Sequence, residues 1–246
     1  MVEKVNFGLS KVPKKEKDKM VTDLFTSVSE KYDLMNDLMS FGIHRLWKDK
    51  MVKICSPQDG FNILDIAVGS GDIALRLLRK NKNISLTCLD NNQKMLEICR
   101  KKLIDKGYIK NIEFVLSSAE NLSLEENQFD LVTIAFGMRN FTDYSQALQS
   151  IYKVLKPGGR LVIMEFCNPR NKYFRELFEK YTFNIIPKLG ELVANDYENY
   201  NYLAESIKSY PTPSKITAMM NNSQYINTRH IYLLGDIVTI HIGFKN

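Results

Sequence analysis

The stretch that decides the fold is NILDIAVGSGD, residues 62–72. An apolar run ends there in a turn that contains Gly69, Ser70 and Gly71, and a helical pattern begins directly at Asp72. In an open α/β sheet, a strand that leads through such a turn into a helix forms a ligand site at the turn. Glycines suit this position because a Cβ would keep the ligand away from the backbone. The stretch therefore predicts a binding site for a nucleotide-like ligand.

The same alternation of strand and helix continues along the chain. Four more apolar runs follow: SLTCLD (85–90), IEFVLS (112–117), FDLVTIA (129–135) and RLVIMEF (160–166). Amphipathic segments with helical spacing lie between the runs: Asp72–Arg79, Gln93–Lys106 and Tyr144–Leu155. This order predicts an α/β fold with a mostly parallel sheet. Tyr225–Leu233 and Ile237–Phe244 flank a short turn and predict a C-terminal antiparallel hairpin, which brings the sheet to seven strands.

We expect a single domain over residues 1–246, because no linker rich in Gly, Ser or Pro divides the chain. Its predicted parts are a helical cap, a cofactor-binding core, an acceptor-side insertion and the terminal hairpin, at about 13–53, 60–167, 171–209 and 225–244. The Lys-rich segment Lys11–Lys19 is interpreted as a solvated tail and helix face. No long apolar run or signal-peptide centre is present, so we expect a cytoplasmic protein that touches a membrane only from its surface.

The composition narrows the function further. Hydrophobic residues make up 44% and charged residues 25% of the chain, which is typical of a globular protein and excludes wholesale disorder. The formal charge of +6 permits an anionic partner, but the basic residues are interleaved with acids, which disfavours nucleic acid. Four cysteines and three histidines are too scattered for a metal site, and we expect the cysteines to be reduced and buried.

Two cofactor classes fit the glycine turn. Gly69, Gly71 and Ala74 match a dinucleotide fingerprint, and Asp90, nineteen residues after Gly71, can accept both hydroxyls of a ribose. The charge of Asp65 and Asp72 favours the sulfonium and ammonium of S-adenosylmethionine over a pyrophosphate. A nicotinamide-dependent oxidoreductase is the alternative function, and a nonenzymatic lipid- or RNA-binding module is a third hypothesis.

Several motifs carry a resemblance that covers about residues 6–245. LDIAVGSGD and VLKPGGRLVIMEF resemble motifs of class I S-adenosylmethionine-dependent methyltransferases with their Rossmann-like fold. More narrowly, YDLMNDLMSFGIHRLWK (32–48), FGMRN (136–140), FNIIPKLGELVAND (183–196) and VTIHIGFK (238–245) resemble the C-methyltransferases of ubiquinone and menaquinone biosynthesis. The resemblance implies methyl transfer to a ring carbon of a polyprenylated benzoquinol, of the 2-polyprenyl-6-methoxy-1,4-benzoquinol type, or of demethylmenaquinol. The resemblance also implies that the protein acts at the inner face of the membrane. Its implied partners are other quinone-biosynthesis enzymes or a second copy of the chain.

The resemblance also implies which residues contact S-adenosylmethionine. These cofactor-binding candidates are Gly69, Ser70, Gly71, Asp90, Ser118 and Ala119. The chain departs from the family pattern at Val68, where a small residue is usual, at Ser118, where Asn is common, and at Ala135, where relatives have Ser. Loss of a side-chain hydrogen bond at Ala135 is expected to weaken cofactor binding by about 1 kcal/mol.

Methyl transfer to a ring carbon of the quinol requires that a ring hydroxyl is deprotonated. A phenol hydroxyl has a pKa of about 10, so the site must stabilise the ionised form or supply a base. The catalytic candidates are Arg139, Asn140, Tyr32 and His44. A guanidinium stays protonated, so Arg139 is expected to lower the phenol pKa and hold a water, with Asn140 orienting the ring oxygen. Tyr32, Asp33 and His44 are candidates to cover the acceptor or relay its proton. If these residues have structural roles instead, Tyr32 forms a cavity wall, Asp33 caps a helix and His44 is a packed histidine.

Two apolar segments are expected to enclose the acceptor. The stripe of Leu34, Leu38, Met39, Phe41 and Trp47 is interpreted as core, or as a lid along a tunnel for the prenyl tail. The segment Tyr173–Ile186 is predicted to form the opposite wall through Tyr173, Phe174, Phe178, Tyr181 and Phe183, with a core helix and loop as its alternative.

Overall fold

Strands and helices alternate as the sequence predicts. The computed structural model describes residues 3–246, apart from the side chains of Glu30, Tyr32 and Leu234. The strands are β1 (Lys4–Phe7), β2 (Ser10–Pro13), β3 (Asn62–Ile66), β4 (Ser85–Asp90), β5 (Ile112–Leu116), β6 (Phe129–Ala135), β7 (Leu155–Phe166), β8 (Ile226–Leu233) and β9 (Val238–Phe244). The helices are α1 (Lys14–Val28), α2 (Tyr32–Ser40), α3 (Ile43–Cys55), α4 (Asp72–Lys80), α5 (Gln93–Asp105), α6 (Tyr144–Val154), α7 (Lys172–Asn184), α8 (Ile186–Ala194), α9 (Tyr197–Ser209) and α10 (Pro213–Asn222).

The central sheet has seven strands in the order β5-β4-β3-β6-β7-β9-β8. Strands β3 to β7 run parallel, and β9 pairs antiparallel with both β7 and β8. The predicted C-terminal hairpin is therefore confirmed, with its second strand inserted between β7 and the edge strand. A separate two-stranded hairpin, β1–β2, and the helix α10 were not predicted from the sequence.

Apolar side chains pack on both faces of the sheet. One face is covered by α3, α4 and α5, whose contacts include Trp47, Leu77 and Cys99. The other face is covered by α6 and α10, which contribute Leu148 and Ile216 among others. A smaller cluster joins the cap to the insertion through Val28, Met35, Ile186 and Tyr200. The sheet is thus shielded on both sides, and the carboxyl edge of its parallel strands faces the cap and the insertion.

The segment predicted to be a helical cap holds α1, α2 and α3, and two of its details differ from the predictions. Lys17 is only 4% exposed, and its Nζ donates to the Phe141 carbonyl at 2.7 Å, so the interpretation of Lys11–Lys19 as solvated is wrong at this residue. Burial lowers the pKa of Lys17 to about 8. The core interpretation of the α2 stripe is also wrong for part of it, because Leu34, Leu38 and Phe41 are exposed.

The structure also describes the cysteines, the insertion and the length and polarity of the helices. All four cysteines are buried and free, as expected. The insertion at 171–209 consists of three helices, α7 to α9, and the segment Tyr173–Ile186, predicted to be an acceptor wall or a core helix and loop, forms most of α7 and the start of α8. Among the described residues, the helices are too short or too polar to span a bilayer.

Candidate active site

Both glycines of the turn have a positive φ. Gly71 has φ +80°, and a Cβ there would lie 2.6 Å from the Cys99 Sγ, so this position requires glycine. Gly69 has φ +54°, and the nearest atom to a Cβ there would be the Ala67 carbonyl oxygen at 4.0 Å, so a Cβ would meet no steric clash. The turn therefore combines one glycine needed for packing with one that leaves the backbone open to a ligand.

Two strained residues mark the carboxyl edge of the sheet. Ala67 follows β3 and Phe136 follows β6, and both are in the left-handed region, at φ +53° and φ +57°. A Cβ at Gly137 would lie 2.5 Å from the Cβ of Ala67, so the two turns touch. Such backbone strain is concentrated at functional sites. Sequence reasoning missed both residues, although Gly137 was a usable signal.

A small cavity of about 70 Å³ collects most of the predicted cofactor residues. Gly69, Asp90, Ser118 and Ala119 lie on its wall. The Asp90 carboxylate is fixed by two backbone amides, with Oδ2 accepting from the Gly69 N–H at 2.9 Å and Oδ1 from the Asn92 N–H at 3.0 Å. Burial raises the pKa of Asp90 above its ordinary value. The cavity thus presents an oriented carboxyl group at its wall.

A larger cavity of about 630 Å³ adjoins the small one. The two share five residues on their walls: Phe25, Ala67, Gly69, Ala135 and Phe136. Side chains of the cap, the glycine turn and the insertion enclose the larger cavity, and its volume lies within the range of small-molecule sites. Of the predicted opposite wall, Phe174, Phe178 and Tyr181 line it, whereas Tyr173 is exposed to solvent.

Arg139 lies on the wall of the larger cavity and is held by a buried acid. Its Nη1 donates to the Glu165 Oε1 at 2.9 Å and to the Phe136 carbonyl, while its backbone N–H donates to the Glu165 Oε2 at 3.1 Å. The Glu165 side chain is fully buried. Sequence reasoning missed Glu165, although a carboxylate near the end of the apolar run RLVIMEF is a signal, since buried charges are paired.

Asn140 lies on the wall of the smaller cavity and is hydrogen-bonded to a residue of the larger one. Its Oδ1 accepts from the hydroxyl of Tyr202 at 3.1 Å. Tyr202 lines the larger cavity, and burial raises its pKa to about 12, so its hydroxyl stays a donor. Because Oδ1 is occupied, the amide group of Asn140 is left to act as a donor. The role of Tyr202 was not predicted.

His44 and Asp37 form a pair within the cap. The His44 Nε2 lies 2.7 Å from the Asp37 Oδ1, and Arg45 contacts the same carboxylate. Burial lowers the pKa of His44, which favours the neutral ring at the wall of the larger cavity. Its Nδ1 is buried without a hydrogen-bond partner in the described part of the chain. The side chain of Tyr32, the other cap candidate, lies outside the described residues.

The cap is tied to the glycine turn and to α4 by charged side chains. The Ser70 Oγ donates to the Asp33 Oδ1 at 2.7 Å, and Lys102 donates to the other oxygen at 2.6 Å. Lys48 forms a 2.7 Å ion pair with Asp72. Burial acts to raise the pKa of Asp72, but Lys48 and Arg76 outweigh it and leave the pKa below its ordinary value. The negative charge of Asp72 is therefore neutralised, and it adds little to the repulsion of a pyrophosphate.

Asp65 supplies a pH-dependent stability prediction. Its carboxyl is fully buried beside Thr133, and burial raises its pKa from 3.8 to about 7. The folded chain thus keeps a proton that the unfolded chain has already lost, so stability falls as pH rises from about 4 to about 7. Asp65→Asn imitates the protonated group and is expected to show a smaller fall. Urea unfolding across this range measures both slopes, and equal slopes would contradict the assignment.

Comparisons with known proteins agree with this geometry. Residues 13–245 match the ubiE/COQ5 methyltransferase family. The ubiquinone/menaquinone biosynthesis C-methyltransferase UbiE of Wigglesworthia glossinidia brevipalpis is 44% identical over 241 residues, which cover 98% of this chain and 96% of the relative. The UbiE of Idiomarina loihiensis is 43% identical over 244 residues, covering 99% and 97%.

Solved structures share the fold at low sequence identity. A possible histamine N-methyltransferase from Thermotoga maritima superposes with a TM-score of 0.64 at 18% identity, covering 91% of this chain and 99% of that one. Phosphoethanolamine N-methyltransferase 2 of Haemonchus contortus, in complex with S-adenosyl-L-methionine, gives a TM-score of 0.60 at 14% identity, covering 81% and 52%. The predicted class I methyltransferase fold is therefore confirmed.

Proposed function

The chain belongs to the ubiE/COQ5 methyltransferase family, and we propose that it transfers a methyl group from S-adenosylmethionine to a ring carbon of a quinol in ubiquinone or menaquinone biosynthesis. The acceptor is a polyprenylated benzoquinol, of the 2-polyprenyl-6-methoxy-1,4-benzoquinol type, or demethylmenaquinol. The observation that carries the proposal is the identity of 43–44% with UbiE relatives over nearly the whole chain. No observation favours the nicotinamide-dependent oxidoreductase that the glycine turn alone would allow.

The residues present fit S-adenosylmethionine. The oriented carboxyl of Asp90 suits the two ribose hydroxyls, and the open backbone at Gly69 suits close approach of a ligand. Ser118 and Ala119 flank the same small cavity, where they would contact the adenine. When bound, S-adenosylmethionine supplies an electrophilic methyl group on its sulfonium. The shared wall at Ala67 and Ala135 connects that cavity with the larger one, where the acceptor would lie.

Arg139 is the residue that we assign to activation of the acceptor. Its guanidinium stays protonated and would stabilise the oxyanion of the ring, which lowers the pKa of the phenol. Glu165 is a positioning residue, since its two oxygens contact both the side chain and the backbone of Arg139. The donor amide of Asn140, set by Tyr202, would hydrogen-bond the same ring oxygen and favour its ionised form.

The apolar part of the larger cavity suits a prenylated acceptor. Met39, Phe174 and Phe178 line it, and the neutral ring of His44 adds no charge. A polyprenyl tail partitions into lipid, so the protein would work at the inner face of the cytoplasmic membrane. Other quinone-biosynthesis enzymes, or a second copy of this chain, are proposed as its partners.

Deletion of the gene tests this function in the cell. Cells that lack it are expected to accumulate a quinone that is one ring methyl short, because the methyl transfer no longer occurs. Extraction of the quinones and mass spectrometry identify the accumulated species, and re-expression of the wild-type chain is expected to restore the methylated product. An unchanged quinone profile in the deletion strain would contradict the proposal. The ring system of the accumulated quinone would distinguish the benzoquinol from the naphthoquinol acceptor.

A further inference from the structure

Two rows of exposed apolar side chains lie on the cap and the insertion. Leu34, Leu38 and Phe41 follow one side of α2 at intervals of one helical turn, and Phe41 is 81% exposed. Tyr173 and Leu177 follow one side of α7 in the same way and are 83% and 63% exposed. Exposed apolar side chains that gather into one large patch mark interaction sites on soluble proteins.

The two rows meet at the mouth of the larger cavity. Phe41 and Leu177 are exposed and also line that cavity, so they lie at its opening. Tyr181, one turn after Leu177, packs its ring 6.3 Å from that of Phe41 and donates its hydroxyl to the Met39 carbonyl at 2.9 Å. We call the surface formed by Leu34, Leu38, Phe41, Tyr173 and Leu177 the mouth face.

The charges beside the mouth face are mostly positive. Lys172, Arg175 and Lys180 are exposed on α7 and form no ion pair among the described residues, and Lys180 itself lines the cavity. Glu176 is the exposed acid of α7 that has no ion pair among the described residues, so the three cations outnumber it, and two other nearby acids are compensated. Asp37 is bound by Arg45 and His44, and Glu179 by Lys208. The apolar rows are thus bordered by free cationic side chains.

We propose that the mouth face docks on an anionic lipid bilayer, so that the acceptor enters the cavity directly from the membrane. This inference rests on the proposed function, because a prenylated quinol is dissolved in lipid. Exposed aromatic rings suit the bilayer interface, and lysines beside them reach the head groups. A second copy fits this surface less well, since a twofold interface would set Lys180 and its neighbours against the same positive charges.

The test uses two substitutions on the mouth face that do not line either cavity. Leu34→Glu and Tyr173→Glu fall in the first turns of α2 and α7, where a carboxylate is compatible with the helix. The matched control is Ile109→Glu with Ile226→Glu, which adds the same charge at exposed apolar residues. Ile109 precedes β5 and Ile226 begins β8, so both lie at the end of the sheet away from the cavities.

Binding is measured by flotation with vesicles of phosphatidylglycerol and phosphatidylethanolamine. The wild type and the control pair are expected to bind equally and to be released by salt, while the mouth-face pair binds at least about tenfold more weakly. Equal binding of the two pairs, or no binding by the wild type, would overturn the proposal. A wild type that is dimeric without lipid, and a mouth-face pair that is monomeric, would overturn it in favour of a second copy.

Enzyme assays distinguish a failure of this proposal from a failure of the proposed function. The mouth-face pair is expected to methylate a short-chain, water-soluble quinol at the wild-type rate and to lose at least about tenfold in rate on a long-chain quinol embedded in the vesicles. Equal rates on the embedded quinol for both pairs would overturn the docking surface alone. Failure of the wild type itself to methylate the soluble quinol would instead overturn the proposed function.

Discussion

Arg139→Ala is expected to lower turnover by about two to three orders of magnitude, the loss typical of one oxyanion-stabilising group. A higher pH is expected to recover part of the rate, because more of the quinol is then ionised without help from the protein. Arg139→Lys is expected to recover only part of the activity, since an ammonium lacks the planar geometry of a guanidinium. Initial rates against pH on a soluble quinol measure all three effects.

The buried partner of Arg139 requires a stability control. Arg139→Ala leaves Glu165 as an uncompensated buried charge and is expected to cost about 3–5 kcal/mol in the free energy of unfolding. Arg139→Ala combined with Glu165→Gln removes that charge, and it is expected to regain stability while remaining slow. If the double variant is stable and turns over within about tenfold of the wild type, Arg139 acts through structure and the catalytic assignment is wrong.

Asp90→Ala is expected to weaken binding of S-adenosylmethionine by about 2–4 kcal/mol, a loss of about 30- to 1,000-fold in affinity. The reason is the loss of two charge-assisted hydrogen bonds to the ribose. The substitution also leaves the amides of Gly69 and Asn92 without their acceptor, which lowers the stability of the turn. Asp90→Asn keeps the shape but not the charge, and its affinity is expected to fall between those of the wild type and Asp90→Ala.

Asp130→Ala is the matched control for this experiment. The Asp130 carboxylate also accepts from a backbone amide, that of Asn62 at 2.8 Å, but it lies near the amino end of β6, away from the cavities. Its substitution is expected to reduce stability without reducing cofactor affinity. Calorimetry on the folded variants separates the two effects. Unchanged affinity in Asp90→Ala would remove Asp90 from the cofactor site.

The core of the fold was predictable because its signals are local. Each parallel strand is a short apolar run, each crossover helix has apolar residues at helical spacing, and Gly71 marks the turn between the first run and α4. The β1–β2 hairpin was missed because each strand has only four residues: β1 alternates polar and apolar residues, but over too few positions to stand out in a charged N-terminal segment, and β2 does not alternate. The insertion of β9 between β7 and β8 depends on long-range pairing, which residue patterns do not encode.

The candidate site residues follow from local patterns, whereas their environments do not. The glycine turn, Asp90 and Arg139 were selected by their position after strands, and the structure places them on the walls of the two cavities. Glu165 and Tyr202 were missed because their importance depends on which side chains meet in space. The charge of Asp72 was misjudged for the same reason, since its partner Lys48 lies 24 residues away in the cap.

Methylation of a soluble quinol by the purified chain tests the central claim most directly. The chain is incubated with S-adenosylmethionine carrying a labelled methyl group and with a short-chain quinol of each acceptor class, and the products are resolved by mass spectrometry and NMR. The account predicts label on a ring carbon of at least one quinol, with turnover that falls in Arg139→Ala as described. Label on a ring oxygen, or no transfer to any quinol while S-adenosylmethionine binds, would contradict it.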